Sequence, residues 1–116
     1  MFLMEAGLGK EGCERVIDGL RFLADEFEKG MTEKNNKESK KHLKQLNKTI
    51  QKMEKGKDLK KEDYLFIIYN LEILSEWFRV NAPRIDDDEL TELFLTKAKA
   101  FRWLHDAVEE LCKRYR

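Results

Sequence analysis

Proline occurs once and glycine six times in the 116 residues. An all-β chain turns every ten residues or so and would need more of both, which excludes that class. The longest uninterrupted apolar run, YLFIIY at 64–69, is far short of the roughly 20 residues that a membrane helix requires. Neither sign of charge is in excess, with 23 Lys and Arg against 23 Asp and Glu. The N-terminal MFLM is followed directly by Glu5 and carries no basic lead, so it does not have the layout of a secretory signal. These absences lead us to expect one soluble, cytoplasmic domain over residues 1–116, large enough to bury a core without staples or metals. The two cysteines and two histidines form no CxxC or paired-ligand spacing, so neither a zinc site nor any other metal or cofactor is expected.

What is present is charge and helical periodicity. Charged residues make up 40% of the chain, rich in Lys and Glu and poor in Gln and Ser, a composition like that of hyperthermophile proteins. Four segments repeat apolar residues at three- and four-residue steps. The first runs from about Glu11 to Lys29 through Cys13, Val16, Ile17, Leu20, Leu23, Ala24 and Phe27, with Gly30 suited to end it. The second, about Asn36 to Lys55, has a thin seam of Leu43, Leu46, Ile50 and Met53 and stops at Gly56. The third is entered past Asp58 and ended by NAPR at 81–84, because Pro83 cannot continue a helix. The fourth starts near Asp87 and carries Leu90, Leu93, Phe94, Phe101, Leu104, Val108, Leu111, Cys112 and Tyr115 on one face. Short connections between helices of similar length predict an all-α, antiparallel up-down-up-down four-helix bundle. That topology would put Cys13 and Cys112 at one end of the molecule. Buried thiols are the preferred state, with a disulfide as the alternative.

Several stretches look chemical and fail on spacing. GLGKEG at 7–12 lacks the GxxxxGK[ST] order and the preceding strand of a phosphate-binding loop. The aspartates of RIDDDEL at 84–90 point about 100° apart on a helix and do not converge on one ion. Asp86 and Glu89 instead have capping-box spacing. Neither His42 nor His105 follows an acid by three residues, as di-iron bundles require. The ExxD half of the helical nucleotide pyrophosphatase pattern is missing, and Arg102 is too close to His105 for the nuclease spacing. His105 is read as a hydrogen-bonded packing residue near Glu109. Lys97 falls within the apolar arc of the fourth helix and is read as a stem that packs while its ammonium reaches the rim, with Glu28 as the acid at its height. No catalytic residue is assigned, and the chain is expected not to be an enzyme.

Two surfaces remain. Lys37, Lys41, Lys44, Lys48, Lys52 and Lys55 fall within an arc of about 80° on the second helix, opposite its apolar seam. Residues 34–61 hold 11 lysines against 3 acids, a net of +8 that the rest of the chain balances. The arc suits an acidic protein or a nucleic-acid backbone; the alternative is a solvated face. With no Arg and no aromatic in it, base readout is not expected. The third helix carries two apolar stripes where a bundle helix buries one. Tyr64, Ile67, Ile68, Leu71, Leu74 and Phe78 should face the core, whereas Phe66, Tyr69, Ile73, Trp77 and Val80 lie nearly opposite. An exposed stripe of that size marks an interface unless MFLM or irregular packing covers it. Trp103 and Leu95 on the fourth helix extend it. The expectation is a non-catalytic interaction or structural module that forms a homodimer through the third helix. A sequence-independent nucleic-acid-binding accessory subunit is the alternative.

Overall fold

The computed structural model describes the backbone of residues 3–31 and 37–114, and the side chains of 7–29 and 37–114. Within them the chain is all-α: α1 (Leu3–Met31), α2 (Lys37–Glu54), α3 (Lys61–Asn81) and α4 (Asp88–Arg114), with a 3-10 turn over Ala82–Arg84. The helices pack as a bundle, α3 on α4 and α1 on α2, with α1 also meeting α3 and α4. Its thinnest extent is 21 Å, two helix diameters, so the bundle is two helices deep.

Helix boundaries follow local chemistry. Gly56 takes φ +65, and the amides of Gly56 and Lys57 bond back to Met53 O and Lys52 O, closing α2 with paired C-terminal bonds. Asp63 Oδ2 accepts the Lys60 N–H at 2.8 Å and ties down the start of α3. At α4 the cap is Asp87, whose Oδ1 accepts the Leu90 N–H at 3.1 Å, one residue later than the Asp86 expected from spacing. Of the three aspartates Asp87 is the one that caps the helix, and no group of acids, Cys or His able to hold a metal exists among the described residues.

Two expectations at α1 are corrected. The main piece starts just past Gly9, close to the expected Glu11, but a further helical piece from Leu3 precedes it, and the helix runs through Gly30 to Met31 instead of ending at Gly30. It is broken at Gly9 (φ 76, ψ 169), a conformation essentially confined to glycine, so the GLGKEG stretch is a hinge between two helical pieces. The lead piece packs on α4, where Gly7 abuts Leu111, and farther along Gly19 abuts Phe101. By that register Cys13 and Cys112 sit at different heights, and both are buried thiols outside any disulfide.

The core is the one the periodicity marks. Cys13, Val16, Leu20, Leu23 and Ala24 of α1, Leu46, Ile50 and Met53 of α2, and Tyr64, Ile67, Leu71, Leu74 and Phe78 of α3 are buried together with Ala98, Leu104, Val108, Leu111 and Cys112 of α4. Leu90 and Leu93 depart from it and are 43% and 46% exposed, whereas the adjacent Phe94 packs against Trp77 and Phe78. Tyr115 and Asn36 lie outside the described residues. Lys97 is exposed beside Phe101 and Leu104, and the α1 acid at that cleft is Asp18 rather than Glu28. No described helix is long and apolar enough to cross a membrane.

Candidate interaction surfaces

The second stripe of α3 divides into a floor and a rim. Phe66, Ile73 and Trp77 are half-buried and pack against the core. Trp77 meets Phe22 edge-on at 5.2 Å between ring centroids, Phe78 edge-on at 5.0 Å, and Phe94 at 5.8 Å. These side chains lie on the flank of α3, where irregular packing of α1, α2 and α4 covers part of what an ideal wheel leaves in water. Tyr69 and Val80 stay out, at 58% and 42% exposure. Between them runs an apolar groove of about 480 Å³ lined by Tyr69, Glu72, Ile73, Glu76, Trp77, Val80 and Asn81. Four of the expected interface residues therefore come together. Phe66 does not, because His42 lies over it. Trp103, 63% exposed on the outer face of α4, does not line the groove either, and nor does Leu95.

The rim of the groove is acidic. Glu76 accepts two hydrogen bonds from Arg79, at 2.6 and 3.2 Å, which hold its carboxyl below the usual carboxylate range, with the charges of Arg79 and Arg102 acting in the same direction. The same pair raises Arg79. Glu72 makes no ion pair among the described residues.

Lys37, Lys41, Lys44 and Lys48 of α2 and Lys55 just past its end are exposed, and none has an acidic partner among the described residues. Lys52 is different. Its Nζ lies 3.2 Å from Asp63, which is itself mostly buried, so it fastens α2 to the start of α3. Lys41, Lys44, Lys48 and Lys52 line one side of a shallow groove of about 290 Å³ between the two helices, with Gln45, Thr49 and Asp63.

A polar link that periodicity does not reveal joins the same two helices. Asn70 is fully buried, and its Nδ2 donates to Phe66 O at 2.7 Å. That turns Oδ1 toward His42, 2.8 Å away, so His42 Nε2 carries the donated hydrogen. The imidazole is ringed by Phe27 at 4.7 Å, Phe66 at 5.1 Å and Tyr69 at 6.2 Å. The visible signal was an Asn inside an apolar run; its partner among the lysines of α2 could not be foreseen from spacing. His105 is buried and bonds Asp106 Oδ1 through Nδ1 at 2.9 Å, a packing residue as expected, with Asp106 rather than Glu109 as its acid. Among the described side chains no buried nitrogen or oxygen lacks a hydrogen-bond partner. No protein-family model, curated protein or solved structure matches the chain.

Proposed function

We propose that the protein is a non-catalytic interaction module, an up-down-up-down helical bundle that pairs with a second copy of itself across the outer face of α3. The alternation of direction is supported by cross-helix pairs that run in opposite senses: Arg21 with Glu54 and Phe27 with His42, Lys52 with Asp63 and His42 with Asn70, Ser75 with Ala98 and Phe78 with Phe94. The observation that carries the pairing is the groove, in which half-buried Ile73 and Trp77 lie between exposed Tyr69 and Val80. From Tyr69 to Val80 is about 16 Å of helix at 1.5 Å per residue, enough for one helix to seam against another. A tyrosine and a valine standing over an apolar trough lose contact with water when a second helix lies along it.

The rims would bring Glu72 and Glu76 of two copies near one another, and Arg79 offsets only one of each pair. Association should therefore tighten as salt screens that repulsion. The experiment is Tyr69→Glu combined with Val80→Glu. Both side chains are exposed in the protomer, so the helical content should be unchanged while light scattering reports half the wild-type mass. A variant that keeps the wild-type mass would place the contact elsewhere.

A further inference from the structure

We infer that the lysine edge of α2 is a binding track for the phosphate backbone of a nucleic-acid strand, held without readout of its bases. On α1, α3 and α4 many of the charges pair within their own helix, Arg15 with Glu11, Arg79 with Glu76, Arg102 with Asp106 and Lys113 with Glu110, although isolated cations such as Lys97 and Lys99 make no ion pair among the described residues. A merely solvated helix face in so charge-rich a chain would be expected to mix its signs in the same way. The α2 edge does not. Five of its six lysines lack an acidic partner among the described residues, and Lys37 also sits at the positive end of the helix dipole.

The spacing selects the ligand. Successive lysines of the edge are three or four residues apart, about 4.5–6 Å of helix rise, and the edge from Lys37 to Lys55 is about 27 Å long. A single-sign line of evenly spaced cations matches a polymer with evenly spaced anions better than the irregular mixed charges of a folded protein surface. The groove beside Lys41, Lys44, Lys48 and Lys52 gives the anions a seat, and its one acid, Asp63, is already occupied by Lys52 and the Lys60 amide. Lysine heads contact phosphate as point charges. With no Arg or aromatic on the edge, nothing there reads or stacks on a base. The track stands independently of the α3 pairing, since it uses a different face.

Fluorescence anisotropy of a labelled, arbitrary-sequence DNA duplex tests it across salt concentration. Neutralising roughly five phosphates predicts a slope of about −4.5 in log K against log salt, or roughly 500-fold weaker binding between about 50 and 200 mM. Lys41→Gln, Lys44→Gln and Lys48→Gln together should flatten the slope to about −1.8, a change that partial unfolding does not imitate. Glu in place of the same three lysines should abolish binding while circular dichroism is retained. Lys52 is left alone because its loss would also release Asp63. No retention of the duplex at low salt, a slope unchanged in the Gln variant, or equal competition by polyglutamate would each overturn the inference, the last in favour of an acidic protein partner.

Discussion

Truncating each of the two tryptophans in turn should give opposite outcomes. Trp77 is half-buried with three aromatic rings against it, and Trp103 is 63% exposed. Truncating a fully buried Trp to Ala typically costs about 3–5 kcal/mol. A half-buried one forfeits part of that, and loss of the edge contacts adds to it, so about 2–4 kcal/mol is expected for Trp77→Ala. Trp103→Ala should stay within about 0.5 kcal/mol. With a urea slope of roughly 1–2 kcal/mol per molar, Trp77→Ala should lower the midpoint by about 1–4 M and Trp103→Ala should barely move it. The comparison belongs in the Tyr69→Glu, Val80→Glu background, so that loss of pairing does not enter the difference. A Trp77→Ala cost below about 1 kcal/mol, or a Trp103→Ala cost as large as that of Trp77, would refute the assignment of Trp77 to the aromatic cluster. The same result would restore Trp77 as a pure interface anchor, the role its spacing alone suggests.

Two further outcomes follow from single residues. Asn70→Leu removes the acceptor for His42 and should loosen α2 by about 1–3 kcal/mol. Amide exchange in α2 should then accelerate ahead of α3 and α4, and unchanged protection of α2 would count against the link. Gly9→Ala adds a Cβ that meets nothing within 4 Å, so its cost is backbone strain alone, about 1–3 kcal/mol by thermal unfolding. D-alanine at that position, which accepts positive φ, should recover most of it.

The fold was largely legible because apolar residues at 3.6-residue spacing have few ways to leave water. Leu20, Leu46, Leu71 and Val108 were placed by periodicity alone, and all are fully buried. What a wheel cannot show is where neighbouring helices stop. It put Leu90 and Leu93 in the core with Phe94, although only Phe94 packs there and the two leucines stay exposed. It put Ile73 and Trp77 outside although α1 and α4 reach round the flank of α3. It also ranked all six ridge lysines alike, whereas Asp63 singles out Lys52, a pairing 11 residues apart that only the turn between α2 and α3 creates. The Asn70 amide and the His42 ring were each visible as oddities, a polar residue among apolar ones and an imidazole among lysines. Their pairing is a tertiary fact. The GLGKEG stretch reads as a lead-in, yet helix continues on both sides of Gly9 because the lead piece finds a place to pack beside Leu111.

Sedimentation equilibrium of the unmodified protein over a range of concentrations and at two salt levels tests the pairing most directly. The account predicts a single reversible step from 13.9 kDa to twice that mass, shifted to lower concentration at the higher salt. A mass that stays at the single-chain value at every concentration and salt would contradict it.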